Sequence, residues 1–293
     1  QQIEVLMINH TLSNVGYIGL GNIGKPTALR LLRGSWKTHV YDVREDLQRE
    51  LVECGASGSE SPARLAAVCE HVGVCVRDDV QVDAVLYGAE GVLANARPGT
   101  LVAIHSTTSV GAVRRWAHDA SGFGVTLMDA AITGGAQGAE AGTLCYMVGG
   151  DTESVERARP VFETSGNRTV HAGGVGAGML LKLCNNLITY AEFLAMSEAA
   201  SLAEAGGLSI DVLREVGLSN GVVNEAMYQF IANRKAYAAA SSAQEMEAAF
   251  GAFGRLAEKD LECAAQSGKE LDVYLPSTGR LRALVYDLFM NRL

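Results

Sequence analysis

Short aliphatic and β-branched runs punctuate the first half of the chain: Val15-Gly16-Tyr17-Ile18, His39-Val40-Tyr41, Val72-Gly73-Val74-Cys75-Val76, Thr100-Leu101-Val102-Ala103-Ile104, Val125-Thr126-Leu127-Met128 and Leu144-Cys145-Tyr146-Met147-Val148. Helically spaced stretches and Gly-rich junctions separate them. Such runs predict strands buried on both faces, and their alternation with helices predicts βαβ units in a parallel sheet. After Gly178 the runs stop, and Ala, Leu, Glu and Met recur at helical spacing to Leu293, which predicts an all-α second domain. The junction Ala172-Gly173-Gly174-Val175-Gly176-Ala177-Gly178 is too Gly-rich for a helix interior. Behind it, Leu180, Leu183, Leu187, Ala191 and Leu194 predict a single helix from Met179 to Ala205, stopped by Gly206-Gly207. At 1.5 Å per residue it would run roughly 40 Å and join the two domains. The expected organisation is therefore a leader over 1–14, an α/β domain over 15–177 and a helical domain over 178–293. Within the leader, Val5-Leu6-Met7-Ile8 reads as an added strand or as part of a disordered segment; Ala238-Ala239-Ala240-Ser241-Ser242 reads as a helical bend or a loop.

The first strand is followed by Gly19-Leu20-Gly21-Asn22-Ile23-Gly24, which opens an Ala/Leu helix. In a dinucleotide-binding turn the first glycine makes the tight bend, the second admits a pyrophosphate and the third lets helix and strand pack closely. The helix N-terminus behind them offers free N–H groups to the anion. A Gly-rich turn also has ordinary structural uses, so the second strand matters: it ends at Asp42, about twenty residues on, where a carboxylate accepts from ribose hydroxyls and repels a 2′-phosphate. That favours NAD over NADP. Arg44 is the counter-signal, because a guanidinium tolerates the extra phosphate.

Lys182, Asn185, Asn186 and Thr189 fall on one face of the long predicted helix, among the apolar Leu180, Leu183, Cys184 and Leu187. A polar cluster on an apolar helix is costly to bury without partners. One reading is a solvated stripe at the domain junction. The other is a ligand site, favoured by the glycines just upstream, which allow a backbone to close against a flat ligand.

Composition narrows the function. Lys and Arg number 24 against 33 Asp and Glu, a net charge of −9, which argues against nucleic acid and anionic membranes as partners. Apolar residues make up 48%, enough for a sizeable core. No apolar stretch has membrane length and no basic segment precedes one, so a soluble, cytoplasmic protein is expected. The six cysteines (Cys54, Cys69, Cys75, Cys145, Cys184, Cys263) have no paired spacing and read as reduced core thiols. The six histidines are isolated, so no metal site is expected, and His105 beside Ser106 reads as a structural residue rather than a base.

Taken in order, Tyr17-Ile18-Gly19-Leu20-Gly21-Asn22-Ile23-Gly24, His105-Ser106-Thr107, Asp129-Ala130-Ala131-Ile132-Thr133-Gly134-Gly135 with Gly138 and Gly142-Thr143-Leu144, Gly174-Val175-Gly176-Ala177-Gly178, Lys182-Leu183-Cys184-Asn185-Asn186 and Lys259-Asp260-Leu261 resemble the β-hydroxyacid dehydrogenase family, which includes 3-hydroxyisobutyrate dehydrogenase. The resemblance covers nearly the whole chain. It implies an N-terminal Rossmann doubly wound sheet, a long interdomain helix and an all-α C-terminal domain. It further implies hydride transfer between NAD(P) and a small 3-hydroxy acid, or reduction of the matching semialdehyde. Lys182 would be the general acid/base, Asn186 would hold Lys182 or the substrate, and Asn185 would be its weaker companion. Thr133, Gly134 and Gly135 would clasp the substrate carboxylate. Ser106 and Thr107 would sit near the nicotinamide, and Asp260 with Lys259 would close the pocket. A homodimer or homotetramer is implied by the same analogy.

Several residues depart from the family pattern: Ala131 and Val110 where Pro is usual, Thr133 for Ser, Ile104 for an acid, Ala252 followed by Phe253 for Phe, and Ile23 for Met or Gln. These bear on substrate identity rather than on the catalytic groups. Two related enzyme types fit less well. A 6-phosphogluconate dehydrogenase would carry His at Asn185, and an imine reductase would carry Asp or Tyr at Lys182. A catalytically silent Rossmann-type scaffold is the alternative outside enzymology, and retention of Lys182 and Asn186 argues against it.

Overall fold

The computed structural model describes residues 12–293, so Val5-Leu6-Met7-Ile8 lies outside the described residues. The apolar runs form the strands that their composition predicts: β1 (Asn14–Ile18), β2 (Lys37–Tyr41), β4 (His71–Val74), β5 (Leu101–Ile104), β6 (Thr126–Thr133) and β7 (Leu144–Gly149). Two further strands lie at the sheet edges, β3 (Ser57–Gly58) and β8 (Gly166–Gly173). Neither was expected. The first is only two residues long, and the second, Gly-Asn-Arg-Thr-Val-His-Ala-Gly, is largely exposed and carries no apolar run.

The sheet order is β3-β2-β1-β4-β5-β6-β7-β8. The first six strands are parallel in the doubly wound order, with the order of strand addition reversing between β1 and β4. The expectation of a purely parallel sheet is corrected at β7, which runs antiparallel to β6. The connecting helix Gly135–Ala141 is only seven residues, about 10 Å long, too short to carry the chain back to the far edge of the sheet. Gly142, at φ 74°, ends that helix in the left-handed region and sends the chain straight into β7.

The helices of the α/β unit are α1 (Gly24–Leu31), α2 (Glu45–Glu53), α3 (Pro62–Ala66), α4 (Asp79–Leu86), α5 (Val92–Asn95), α6 (Val110–Ser121), α7 (Gly135–Ala141) and α8 (Thr152–Phe162). Val15, Tyr17 and Val40 pack with Ala28, Leu31 and Leu51 from α1 and α2; Leu101, Met128, Ala130 and Tyr146 pack with Val155, Ala158 and Phe162 from α8. Each such aliphatic or aromatic side chain contributes roughly 1.5–3 kcal/mol on burial.

The long helix α9 runs Ala177–Ala205, starting two residues before the predicted Met179, so Gly178 lies inside it. The chain divides into two compact units within this helix, the first ending at Lys182 and the second running Leu183–Leu293. The second unit is entirely helical, with α10 (Ile210–Asn220), α11 (Glu225–Ala240), α12 (Ala243–Met246), a π-helical turn (Glu247–Gly251), α13 (Ala252–Glu270) and α14 (Thr278–Phe289). Tyr190 packs with Ala257, Leu261, Leu281, Val285 and Phe289, while Met196 and Ala200 pack with Val223, Met227 and Ile231. The polar Ala238–Ser242 stretch is a helix break. Ser242 caps α12 by accepting from the Glu245 N–H, and the Glu245 carboxylate accepts from the Ser242 N–H in return.

None of the cysteines is paired; Cys54 and Cys184 are exposed rather than in the core. Among the described residues no helix is long and apolar enough to cross a membrane, and no group of His, Cys, Asp or Glu could hold a metal ion.

Two histidines lie wholly inside the sheet core. The His105 ring stacks on Tyr17, and its Nδ1, which must carry the hydrogen, donates to the Ala130 carbonyl at 2.8 Å. Burial pushes its pKa down to about 4 and that of His71 down to about 3. A neutral, enclosed imidazole with one nitrogen committed to a carbonyl has a packing role. The unfolded chain takes up these protons near pH 6.5 while the folded one resists, so stability present above pH 6.5 is lost on acidification toward pH 4. We therefore expect His105→Asn, compared with the parent protein by urea unfolding, to lose about 2 kcal/mol less between pH 7.5 and pH 5.0. Equal losses in both proteins would show that His105 titrates normally.

Candidate functional site

The loop from Gly19 to Gly24 leaves β1 at the carboxyl edge of the sheet, beside the point where the strand order reverses. Its three glycines have different surroundings. Gly19 has φ +93°, and a Cβ there would lie 2.2 Å from the Cys75 carbonyl oxygen. At Gly24 a Cβ would lie 1.9 Å from the Gly19 carbonyl oxygen, so the start of α1 is packed directly on the turn. At Gly21 nothing lies within 4 Å. Two glycines thus build the loop and the middle one keeps a space open above it. Helix α1 has no side-chain cap at Ile23; since its Lys25 N–H donates to the Gly21 carbonyl and Pro26 has no N–H, an anion would meet the N–H groups of the glycine turn and of Gly24. Leu20 is buried and Asn22 exposed, while Ile23 packs into the core below. These features fit a dinucleotide pyrophosphate.

Asp42 follows β2 and sits against the same loop: its Oδ2 accepts from the Leu20 N–H at 2.6 Å and its Oδ1 from the Arg44 N–H at 2.8 Å. The carboxylate is half-buried, oriented by two backbone donors. Arg44 does not stand free. Its guanidinium is held in a two-point contact by Asp46, Nη2 to Oδ2 at 2.6 Å and Nε to Oδ1 at 3.3 Å. The pairing raises the arginine pKa and lowers that of the acid, although both groups are solvent-exposed.

After β5, Ser106 is buried and its hydroxyl oxygen accepts from the Val76 N–H at 2.9 Å, tying the loop after β5 to the one after β4. Thr107 follows, half-buried. At the end of β6, Thr133 is half-buried while Gly134 and Gly135 are exposed. Both glycines adopt positive φ, +123° and +64°, which side chains tolerate poorly, so the peptide groups of this turn face solvent without Cβ atoms over them.

Asp129, also on β6, is fully buried. Its Oδ1 accepts from the Gly176 N–H at 2.7 Å and its Oδ2 from the Met179 N–H at 2.6 Å. Burial pushes its pKa up to about 6, against the pull of these backbone donors. Within the Gly-rich junction the glycines differ, and at Gly174 nothing lies within 4 Å. Gly178 closes on the sheet rather than on a ligand: a Cβ there would lie 2.3 Å from the Met147 carbonyl oxygen.

Lys182 lies in the second turn of α9 and is half-buried. One turn further on, Asn186 is buried, and its Nδ2 donates to Asp260 Oδ2 at 2.7 Å. The Tyr190 hydroxyl donates to the same oxygen at 3.1 Å, and the Lys259 ammonium lies 2.9 Å from Oδ1. Burial, reinforced by the Asp260 charge, raises the Tyr190 pKa. The Asp260 carboxylate therefore fixes which way the Asn186 amide points, with Oδ1 as its acceptor end. Asn185 approaches that oxygen at 3.4 Å, and the Thr189 hydroxyl donates to the Asn185 carbonyl. Sequence reasoning missed Tyr190, though it falls one turn beyond Asn186. It quoted Asp129 without a role, although an acid inside an apolar strand is itself a signal.

Comparison with known proteins agrees with this arrangement. Residues 14–174 match the NAD-binding domain of 6-phosphogluconate dehydrogenase, and residues 176–291 match the domain described as NAD-binding of NADP-dependent 3-hydroxyisobutyrate dehydrogenase. A Pseudomonas aeruginosa protein named NAD-dependent L-serine dehydrogenase is 36% identical over 205 residues, 70% of this chain and 69% of its own. An Eubacterium barkeri protein named 2-(hydroxymethyl)glutarate dehydrogenase is 32% identical over 268 residues, 90% of this chain and 85% of its own. The Mycobacterium tuberculosis 3-hydroxyisobutyrate dehydrogenase, solved with L-serine, superposes with a TM-score of 0.80 at 27% identity, covering 96% of this chain and 94% of that one.

The different surroundings of the glycines are testable. Gly24→Ala should lower the melting temperature, by an amount equivalent to about 1–3 kcal/mol, because the new methyl overlaps the Gly19 carbonyl. Gly21→Ala should leave the melting temperature unchanged and weaken binding of NADH measured by its fluorescence. Equal destabilisation by the two substitutions would contradict the assignment.

Proposed function

Because the chain belongs to the β-hydroxyacid dehydrogenase family, we propose that it is an NAD-dependent oxidoreductase acting on a small 3-hydroxy acid, or on the matching semialdehyde in reverse, with Lys182 as general acid/base. The substrate class follows from the shared chemistry of the relatives' named substrates. L-Serine, 3-hydroxyisobutyrate and 2-(hydroxymethyl)glutarate all carry a hydroxymethyl group on the carbon next to a carboxylate. A site for this class needs an anion clasp for the carboxylate and a proton acceptor for the hydroxyl. It also needs a dinucleotide held near the carbinol carbon.

The observation that carries the reading is the polar face of α9, where Lys182 is followed one turn later by an asparagine whose amide Asp260 holds in a fixed orientation. The bound nicotinamide supplies the hydride acceptor or donor. Lys182 takes the hydroxyl proton during oxidation and returns it during reduction, and its ammonium balances charge that develops on the oxygen. General acid–base help of this kind is worth about 10²–10⁴ in rate. Asn186, one helical turn beyond Lys182 with its amide oriented by Asp260, is the companion of the lysine in this reading. Thr133 and the exposed peptides of Gly134 and Gly135 receive the carboxylate; Ser106 braces the loop that bears Thr107 toward the nicotinamide end.

The preference for NAD rests on Asp42 and on the state of Arg44. Asp42 presents a carboxylate, oriented by the Leu20 and Arg44 N–H groups, where the adenosine ribose hydroxyls would lie. The guanidinium that would welcome a 2′-phosphate is occupied by Asp46.

The test is purified protein with NAD⁺ and a panel of 3-hydroxy acids, followed by the absorbance of reduced nicotinamide, beside Lys182→Ala. We expect turnover of at least one hydroxymethyl acid, and in the variant a loss of about 10² or more at unchanged NADH affinity. Unchanged turnover removes Lys182 from its role, and cofactor binding without any turnover returns the chain to a scaffold. In the cofactor arm, NAD⁺ should bind more tightly than NADP⁺. Asp46→Asn should narrow that gap by up to about fivefold, as expected for an exposed ion pair. Tighter binding of NADP⁺ by the parent protein would overturn the preference.

A further inference from the structure

The Asp129 carboxylate has no part in the chemistry proposed above, yet it is the most enclosed acid of the α/β unit that the structure describes in detail. A carboxylate removed from water needs strong partners. It accepts from the N–H groups of Gly176 and Met179, at 2.7 and 2.6 Å. Helix α9 begins at Ala177, so these belong to the donors that a helix start leaves without intrahelical partners. The charge also lies at the positive end of the helix dipole. One carboxylate thus binds the beginning of a 29-residue helix to the middle of the sheet.

The fit leaves no room for sliding. A Cβ at Gly149 would stand 2.5 Å from Asp129 Oδ1, and one at Gly178 would stand 2.3 Å from the Met147 carbonyl oxygen and 2.8 Å from the Gly149 nitrogen. Strand β7 and the first turn of α9 meet backbone to backbone. Lys182 is three residues beyond Met179, next to it on the helix surface. In the other direction along β6, Thr133 is four residues beyond Asp129 at the same strand's end. The acid therefore stands between the turn proposed to hold the substrate carboxylate and the lysine proposed to move its proton, and both positions are referred to one strand.

From this geometry we infer that Asp129 is a positioning residue for Lys182: its carboxylate, by fixing the first turn of α9 on β6, sets where the ammonium stands relative to the Thr133-Gly134-Gly135 turn. The inference rests on the assignment of Lys182 as acid/base. It goes beyond that assignment in making the acid a requirement for turnover rather than for folding alone.

The test compares three variants of the full-length protein. Asp129→Asn keeps the shape but replaces one acceptor oxygen with an amide that cannot accept the second N–H. Gly178→Ala leaves the carboxylate in place and pushes the helix turn off the sheet with one methyl group. Asp151→Asn is the control, because Asp151 caps α8 by accepting from the Ser154 N–H and serves a cap role without a link to Lys182. NADH affinity, KM and kcat are measured well below each melting temperature. Asp129→Asn and Gly178→Ala are expected to hold NADH affinity and KM within about threefold while kcat falls roughly tenfold to a hundredfold, the scale of a misplaced catalytic group. Asp151→Asn, in which asparagine caps about as well as aspartate, is expected to leave both the melting temperature and kcat nearly unchanged. The inference is overturned if either folded variant turns over like the control; should Asp129→Asn not fold, Gly178→Ala decides alone. Lys182→Ala in the same series separates the two claims. An active Lys182→Ala removes the acid/base assignment, whereas an inactive one beside a fully active Asp129→Asn removes only the positioning role.

Discussion

A buried carboxylate sits in an interior strand of an eight-stranded sheet, balanced by peptide N–H groups at a helix start. That interaction constrains much of its surroundings. It works only if the helix can approach the sheet closely enough for backbone donors to reach the acid. Close approach in turn requires the absence of side chains at Gly149 and Gly178, where Cβ atoms would fall well inside contact distance of carboxylate or carbonyl oxygens. It also requires Gly176 to adopt φ +91°, a conformation for which glycine carries no steric cost. The glycines, the acid and the helix start form one device, and altering any of them changes the other two.

Seen this way, the glycines of the chain fall into classes that their spacing does not distinguish. Gly19 and Gly24 press against carbonyl oxygens, while Gly21 faces open space. Gly134 and Gly135 are needed for their positive φ, and Gly178 for lack of room. The first motif was readable because a strand, a glycine turn, a helix and a later acid occur in a fixed order with a known chemical reason. The second Gly-rich stretch lacks such a template, and spacing alone does not show that Gly178 packs on the sheet while Gly174 has open space beside it. Polar β8 was invisible for a related reason. Hydrophobic patterning registers burial, and an edge strand with mostly exposed side chains offers none. The antiparallel β7 followed from the shortness of α7, a matter of reach rather than of residue preference.

The helical unit was legible in outline, since Ala, Leu and Met at helical spacing leave little alternative. Its polar contacts were not. Lys182, Asn185, Asn186 and Thr189 could be placed on one face by counting, but no count says that Asn186 donates to Asp260 or that Tyr190 shares the same oxygen. Asp260 is 74 residues away in sequence, and a side-chain amide has two orientations of nearly equal shape. Only the acceptor opposite Nδ2 selects one. The same holds for Arg44. Sequence shows a guanidinium two residues beyond the ribose acid and leaves its allegiance open, whereas the structure pairs it with Asp46.

The two ends of the proposed reaction path rest on different kinds of support. At the adenosine end, the Asp42 carboxylate is oriented by backbone donors, but the Arg44–Asp46 pair beside it is exposed, and water screens an exposed pair so that it contributes little. The proposed selectivity against a 2′-phosphate accordingly rests on the weaker of the two supports. At the chemical end the supports are buried. Asp129 and Asp260 are each enclosed and each bonded to a partner on α9, one at the backbone of its first turn and the other at a side chain in its third. A buried acid that loses its partner carries the full cost of desolvation, so such contacts resist drift. The carboxylate at the first turn fixes that turn on β6, three residues before Lys182. The precision of the proposed proton transfer depends on that setting, and it does not require the cofactor end to be equally rigid.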